Sequence, residues 1–382
     1  MEAIFKGLID RYGWQPDGPY QPTIALKKGS HSITLEPGGQ IELSGQKARR
    51  IEENACELYK HLEEIRSVSE PLGIAWLGIG AQPYSVAEDI EWVPKPRYKV
   101  MRENLQGKGA LTFSMMKETA SVQVSLDYLN GEDAIIKLKL AMGLSPFLTA
   151  LFANSPLKQG RHSGYLSRRA NIWENTAPER SGILWDALIP ERGFQCYLEY
   201  ALKVPMLFLL REDRWIPVRG INFSQFMQNG YEGLQATIED WQLHLSGLFT
   251  EARLKHVVEI RSIDCQKTPM GLAAVAFIKG LFYEDASRKK AYELLLNFSE
   301  NELKALHHEA SIHGLKTPLP GGGTMQETCL ELFSLSENGL ADEKKYLEPL
   351  RANLEMGTAP ADLILACFDA HKPILSCAAI EG

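Results

Sequence analysis

The sequence predicts an α+β fold in which an antiparallel β-sheet forms one wall of a cleft and a mainly helical C-terminal portion supports it. Three observations predict this class. Short segments with alternating apolar and polar residues are separated by glycine and proline turns, as in consecutive hairpins. Strands and helices then follow in irregular order, without a repeating βαβ unit. From about residue 270 the apolar periodicity is helical.

The N-terminal region predicts a helix followed by hairpins. Residues 2–12 form a short amphipathic segment that ends near Gly13, and a turn rich in proline and glycine follows. TIALKK, SITLEP and GQIELSG alternate apolar and polar residues, which predicts three antiparallel strands. Between residues 46 and 70, apolar side chains recur every three or four positions, so we expect a helix that covers one face of this sheet.

The rest of the chain alternates between the two kinds of element before it becomes helical. GIAWLGIGAQP predicts a buried strand that ends in a loop, and SVQVSLDYL predicts a second strand. Residues 132–151 predict a helix, and VPMLFLLR and HVVEIRSID predict further strands. The expected C-terminal helices span residues 270–283, 286–310, 324–337, 342–355 and 360–370.

Composition bounds the organisation and excludes several classes of protein. The 382 residues are 45% hydrophobic and 23% charged, with a net charge of −7, as in an ordinary globular protein. The length allows one large domain or two closely packed ones, and we expect a single domain over 1–382. Within it, residues 20–265 would form the sheet-containing core and 266–382 the helical support. The absence of a basic stripe makes nucleic acid an unlikely partner.

No membrane segment is expected either. The longest weakly charged stretch, residues 141–157, is interrupted by two prolines and several polar residues and falls short of the roughly 20 apolar residues that a span requires. The first residues lack the apolar run of a signal peptide. Six cysteines without C-x-x-C spacing predict reduced, partly buried thiols and a cytoplasmic protein.

Two groups of polar residues are candidates for chemistry. Glu36 and Glu42 lie on adjacent predicted strands, where they would repel each other unless a cation lay between them; two solvated glutamates are the alternative. Glu259 and Arg261 share one face of an apolar strand, which suits either the floor of a polar cleft or a structural ion pair.

The second group lies in the middle of the chain. It combines arginines, aromatic rings and amide or hydroxyl side chains, which suit the α-carboxylate of an amino acid or a phosphate, although each residue alone is more often structural. Its members are Arg97, Tyr98, Arg102, Gln123, Ser125, Asp127, Asn154, Ser155, Arg169 and Trp173.

Taken together, ordered blocks of sequence resemble one enzyme family. ITLEPGGQIELSG resembles the signature of glutamate–cysteine ligases of the plant and proteobacterial type. The resemblance continues, in family order and spacing, through LGIGAQP, PKPRYKVMREN, TASVQVSLDY, LTALFANSP, GYLSRRANIW, YALKVPMLFLLR, EARLKHVVEIRSID, HGLKTP and GTAPADLIL. It covers nearly all of residues 20–365.

The resemblance implies a fold similar to glutamine synthetase, with the antiparallel sheet lining the active-site cavity. It implies ATP-dependent joining of the glutamate γ-carboxyl to the cysteine amine through γ-glutamyl phosphate, with two or three Mg²⁺ ions. It implies glutamate, cysteine and ATP as the partners of a monomer or weak homodimer. The chemistry agrees, because an unactivated carboxylate must be phosphorylated before it can acylate an amine.

Residue roles also follow from the resemblance. Glu36, Glu42, Glu259 and, less firmly, Gln123 match positions that bind magnesium. Arg261 matches the position expected to contact the transferred phosphate, which makes it and Glu42 the catalytic candidates, and Lys316 would contact nucleotide phosphates. The residues that would hold the amino acids are Arg102, Ser125, Arg169, Tyr98 and Trp173.

The chain also departs from the family pattern. Nothing ahead of Ile4 matches the family's first strand, which carries a Glu-x-Glu pair of metal ligands; either Met1 is an internal methionine of a longer protein or part of the metal site is lost. Ser125 stands where many relatives have asparagine. Residues 212–235 contain no cysteine, so the redox-sensitive hairpin of plant relatives is not expected. The alternatives are a relative with another acceptor amine and a non-catalytic homologue that binds amino acid or nucleotide.

Overall fold

The computed structural model describes residues 1–189 and 191–380. Its strands are β1 Gln15–Pro16, β2 Ala25–Lys28, β3 His31–Leu35, β4 Ile41–Ser44, β5 Ser121–Leu126, β6 Leu157–Lys158, β7 Arg161–His162, β8 Ser181–Gly182, β9 Phe208–Arg211, β10 Arg214–Pro217, β11 Phe249–Thr250, β12 Ala252–Leu254 and β13 Val258–Asp264.

Helices make up most of the remaining structure. They are α1 Glu2–Tyr12, α2 Ile51–Ser69, α3 Pro96–Leu105, α4 Thr112–Glu118, α5 Gly131–Phe152, α6 Arg168–Glu174, α7 Trp185–Leu188, α8 Phe194–Lys203, α9 Phe223–Asn229, α10 Ile238–Leu245, α11 Thr268–Tyr283, α12 Asp285–Leu295, α13 Glu300–His313, α14 Met325–Asn338, α15 Glu348–Met356, α16 Pro360–Asp369 and α17 Leu375–Ala378. Three short 3-10 helices span Glu70–Leu72, Gly314–Lys316 and Asp342–Leu347.

The N-terminal sheet is a meander in the order β1-β2-β3-β4, with every pair antiparallel. Its register places Thr34 opposite Glu42. The turn between β3 and β4 needs a residue with positive φ, and Gly39 supplies it at φ 84°. Helices α1 and α2 bury their apolar faces against this sheet, around Ile4, Leu8, Leu26, Ile33, Leu62 and Ile65.

A second, three-stranded sheet lies at the centre of the molecule. Strand β13 lies between β12 and β5 and pairs antiparallel with both, and it is buried along its whole length. Helix α5 packs against it and is the helix in the described part of the chain that is long and apolar enough to span a membrane. Because 94% of its most apolar window is buried in the protein, α5 serves here as the central core helix.

The C-terminal helices extend the same core. Helix α11 contacts α14, α15 and α2, and its buried side chains include Phe277, Leu281 and Phe282. Beyond it, α16 and α17 fold back towards residues 76–79, where Gly78 N donates to Ala378 O (2.9 Å). A disulfide joins Cys367 to Cys377, so the expectation of reduced thiols throughout is wrong for this pair. The other four cysteines are free.

Most predicted elements are confirmed within a few residues, including the three N-terminal strands and α5. Three expectations are wrong. Residues 73–83 form only isolated bridges at Leu77 and Ala81, because their backbone groups bond to scattered partners instead of one neighbouring strand. The predicted helix 286–310 is two helices, since Ser299 caps a new start at α13. The strands were expected to form a single antiparallel sheet, but those described here form a four-stranded sheet, a three-stranded sheet and three two-stranded pairs.

Candidate functional site

The polar face of the paired strands β12 and β13 carries a dense ion cluster, formed by Arg253, Lys255, Glu259 and Arg261. Glu259 lies opposite Arg253 across the strand pair, and a guanidinium fork holds its carboxylate: Arg253 Nε donates to Oε2 (2.9 Å), and Nη2 donates to Oε1 (3.1 Å) and Oε2 (2.7 Å). Arg261 Nη1 donates to Oε1 (3.2 Å), and Lys255 Nζ lies 3.7 Å from Oε2. Although burial opposes ionisation, these three cations lower the pKa of Glu259 to about 2.

Arg253 and Arg261 differ in the donors that they leave free. Arg253 uses its remaining Nη1 on the carbonyls of Ser246 (3.0 Å) and Leu248 (3.1 Å), so all of its N–H groups are engaged. Within residues 1–189 and 191–380, Nε and Nη2 of Arg261 have no acceptor at hydrogen-bond distance, and Nη1 reaches Gln123 Oε1 only at 3.5 Å. Arg261 is therefore the guanidinium in this cluster that can take a further anion.

An acidic pair, Glu36 and Glu42, faces this cluster from the N-terminal sheet. Solvent reaches Glu42, but surrounding protein removes part of its hydration, and this desolvation together with repulsion from Glu36 raises the pKa of Glu42 to about 7. Arg261 attracts Glu42 and Glu259 repels it, so the acidic pair and the ion cluster lie within electrostatic reach of each other. Tyr98 OH donates to Leu35 O (2.9 Å) and Glu36 Oε1 (3.3 Å) and fixes one member of the pair.

Helix α3 and the residue before it bring two more cations to the site. Burial lowers the pKa of Lys95, while Glu36 and Glu42 act in the opposite direction. Arg97 lies over the rings of Phe208 (5.0 Å) and Trp215 (5.8 Å). Pro96 at the first position of α3 sets the direction of the chain between them.

A buried carboxylate, Asp264, organises the next group of residues. It accepts hydrogen bonds from Asn154 N (2.8 Å), Ser155 Oγ (2.7 Å) and Ser167 Oγ (2.9 Å), and it lies 3.9 Å from Arg169 Nη1. Arg169 Nη2 donates to Arg261 O (2.6 Å). The guanidinium groups of Arg169 and Arg261 lie 5.6 Å and 5.5 Å from the ring centre of Trp173, so these three side chains form one stacked group.

The structure brings most of the sequence-predicted residues together, but it separates two, Arg102 and Lys316, from the ion cluster. Ser125 lies opposite Glu259 in the β5–β13 register and joins the site. Arg102 is exposed on α3 and lies over the ring of Trp92 (5.3 Å), and Lys316 pairs with Asp362 (3.4 Å) at the surface. No contact links Arg102 or Lys316 to β13 among the described residues.

The acidic pair fits a divalent cation better than Glu259 does. Desolvation and repulsion from Glu36 raise the pKa of Glu42 in spite of the attraction of Arg261, so added positive charge would stabilise the ionised pair. Mg²⁺ commonly uses one or two carboxylates together with substrate phosphates and water. The oxygens of Glu259 are already occupied by guanidinium groups. In the part of the chain that the structure describes, no three His, Cys, Asp or Glu groups are placed to hold a metal ion.

Sequence reasoning missed Arg253, Lys255 and Lys95 as site residues. A signal for two of them was available, since residues 251, 253 and 255 alternate with apolar residues and their charges must share one face of a strand. Nothing in the sequence indicates that Lys95, which precedes a helix, faces carboxylates on a distant hairpin.

Comparison with known proteins gives a consistent result. A family model, glutamate–cysteine ligase family 2, matches residues 8–376. The chain is 36% identical over 376 residues to glutamate–cysteine ligase B, chloroplastic, of Oryza sativa subsp. japonica, which covers 97% of this chain and 76% of the rice protein. It is 35% identical over 376 residues to the chloroplastic glutamate–cysteine ligase of Arabidopsis thaliana, covering 97% and 72%.

Proposed function

The chain belongs to glutamate–cysteine ligase family 2, and on this premise we propose that it joins the γ-carboxyl of glutamate to the amine of cysteine with ATP, giving γ-glutamylcysteine, ADP and phosphate. This is the first step of glutathione biosynthesis. The observation that carries the proposal at the site is that the acidic pair, Glu36 and Glu42, faces a guanidinium that keeps free donors, Arg261.

The proposed reaction has two steps. A glutamate γ-carboxylate oxygen attacks the γ-phosphorus of ATP, which releases ADP and forms γ-glutamyl phosphate. The cysteine amine then attacks the acyl carbon, loses a proton and displaces inorganic phosphate. Both steps build negative charge on phosphoryl oxygens, and cationic groups that are held in place before the reaction stabilise such charge.

Arg261 is the residue we assign to the transferred phosphoryl group. Burial and the neighbouring Arg253 lower its pKa to about 10, so it keeps its charge at neutral pH. Glu259 holds Nη1 in place and leaves Nε and Nη2 free. Because Arg253 has no free donor, we assign it to holding Glu259 and not to substrate.

Glu36 and Glu42 are the residues we assign to Mg²⁺. A magnesium ion there would offset charge on the nucleotide phosphates. The proposal includes two or three Mg²⁺ ions in total and Gln123 as a further ligand. Glu259 could bind a metal ion only if one of the guanidinium groups on its carboxylate moved away.

The direct test is release of ADP by the purified chain with ATP, Mg²⁺ and glutamate, with cysteine, 2-aminobutyrate or no acceptor. We expect cysteine-dependent release and γ-glutamylcysteine by mass spectrometry. Arg261→Lys should lose most activity, whereas the matched change Arg214→Lys on the exposed β9–β10 hairpin should not. A folded wild-type protein without cysteine-dependent ADP release would refute the proposal.

A further inference from the structure

Glu251 is a buried carboxylate on the polar face of the central sheet that the proposed reaction has not yet used. Arg253 lies opposite Glu259, and Arg261 N donates to Glu251 O (2.9 Å), which continues the β12–β13 pairing and places Glu251 opposite Arg261. Side chains two residues apart share a strand face, so Glu251 and Arg253 both face the site.

The carboxylate of Glu251 lacks the partners that a buried anion normally has. Its side chain is only 7% exposed. Among the described residues, no donor lies at hydrogen-bond distance from its oxygens, and the imidazole nitrogen His307 Nε2 lies 3.7 Å from Oε1. Arg261 turns towards Glu259, and Arg169 towards a backbone carbonyl. A mostly buried carboxylate without a donor is costly, and a ligand that supplies a donor would complete it.

Other polar atoms nearby are also unsatisfied. Trp173 Nε1 and both ring nitrogens of His307 are buried without hydrogen-bond partners. Trp173 stacks with Arg169 and Arg261, and the charge of Glu251 favours the protonated form of both arginines. This part of the sheet therefore carries one carboxylate, two guanidinium groups and unpaired polar ring nitrogens. Such a set of charges is complementary to a zwitterionic ligand, which has both an ammonium and a carboxylate group.

We propose that Glu251 accepts the α-ammonium group of the glutamate substrate, while Arg169 and Arg261 provide the positive charge for its anionic groups. The inference rests on the proposed function and adds a specificity-determining residue to it. The α-ammonium of glutamate keeps its charge throughout the reaction. The cysteine ammonium must lose a proton to attack, so a carboxylate that stabilises its charged form would oppose the reaction.

Glutarate tests the proposal because it is glutamate without the α-amino group. The experiment measures kcat/KM for glutamate and for glutarate, and calorimetric binding of each acid in the presence of Mg²⁺ and a non-hydrolysable ATP analogue. Wild type should prefer glutamate. Glu251→Gln keeps the shape and removes the charge, and it should lower kcat/KM for glutamate by about 10- to 100-fold while leaving glutarate unchanged.

Two further variants keep the result interpretable. Glu251→Asp retains the charge and should retain part of the preference for glutamate. Glu355→Gln changes an exposed glutamate on α15 and should behave as wild type. If Glu251→Gln does not fold, Glu251→Asp still tests where the charge must lie: a lower kcat/KM for glutamate with glutarate unchanged would support the proposal, and equal losses for the two acids would overturn it.

Three outcomes would overturn the inference. Equal losses for glutamate and glutarate would indicate a structural role or a buried water at Glu251. A rise in KM for cysteine alone would place the residue at the acceptor. Glutamate binding by Glu251→Gln as tight as that of wild type would remove Glu251 from the site without affecting the proposed ligase. A wild-type protein that binds neither acid would instead refute the proposed function.

Discussion

The Arg253–Glu259 pair should be a strong source of stability, and its magnitude can be worked from the structure. Arg253 makes three hydrogen bonds to the carboxylate, and both side chains are less than a tenth exposed. The pKa of Glu259 is about 2 against an ordinary value of 4.5. At about 1.4 kcal/mol per unit, the charged environment contributes roughly 3 kcal/mol.

The way in which this contribution to stability changes with pH follows from the direction of the Glu259 pKa shift. Because the pKa of Glu259 is lower in the folded protein than in the unfolded chain, the contribution is complete above pH 4.5 and disappears as the pH falls through 2. At pH 7, Arg253→Met leaves a buried carboxylate with fewer partners, and Glu259→Gln leaves two guanidinium groups side by side. Each change should lower the free energy of unfolding by about 3 to 5 kcal/mol.

A double-mutant cycle measures the interaction itself. Urea-induced unfolding, followed by tryptophan fluorescence, would compare wild type, both single variants and the double variant. The double variant should lose clearly less stability than the two single losses added together, by about 1 to 3 kcal/mol, because either single change already breaks the pair. Arg214→Met on the exposed hairpin is the control and should change little. Additivity within about 0.5 kcal/mol would refute the reasoning.

Three further predictions test other parts of the site and the core. Glu42→Gln should weaken Mn²⁺ binding, measured by calorimetry, about tenfold or more. Wild-type binding should weaken below pH 7, because the metal must then displace the proton of a carboxyl with a pKa of about 7. Mn²⁺ binding that depends neither on this substitution nor on pH would contradict the prediction. Burial lowers the pKa of His244 to about 4, so between pH 6.5 and 4 the unfolded chain binds a proton there that the folded protein does not. Between pH 7 and 5, the free energy of unfolding, measured by chemical denaturation, should therefore fall by about 2 kcal/mol more for wild type than for His244→Phe. Equal decreases for the two proteins would contradict this prediction. A Cβ at Gly80 would lie 2.4 Å from Asp264 Cγ. Gly80→Ala should therefore lower the free energy of unfolding by about 2 kcal/mol or more and raise KM for glutamate. An unchanged free energy of unfolding and an unchanged KM would show that Asp264 can move.

Local patterns were sufficient to predict the elements whose stability is local. The hairpins β2 to β4 follow from alternation and turn glycines, and α5 follows from its apolar length. Residues 73–83 are equally apolar, yet they pair with scattered partners, including the distant Ala379. Apolar character predicts burial there, but the number of strand partners depends on tertiary contacts that no window of sequence contains.

The candidate site shows the same limit at the level of side chains. Residue types on one strand can be placed on a face, which is why Glu259 and Arg261 were predicted together. Whether Glu259 meets a metal or a guanidinium depends on Arg253, which reaches it through the β12–β13 register. The resemblance suggested a ligand, and only the side-chain geometry indicates that the carboxylate oxygens are occupied.

The two sides of the site carry opposite charge: carboxylates predominate at Glu36 and Glu42, and cations predominate around Glu259. At the acidic pair, desolvation by the surrounding protein and repulsion from Glu36 outweigh the attraction of Arg261 and raise the pKa of Glu42 to about 7. On β13, three cations surround one carboxylate and lower the pKa of Glu259. A magnesium–nucleotide complex carries a cation for the first side and phosphoryl oxygens for the second. Under the proposed function, either component alone would satisfy one side only.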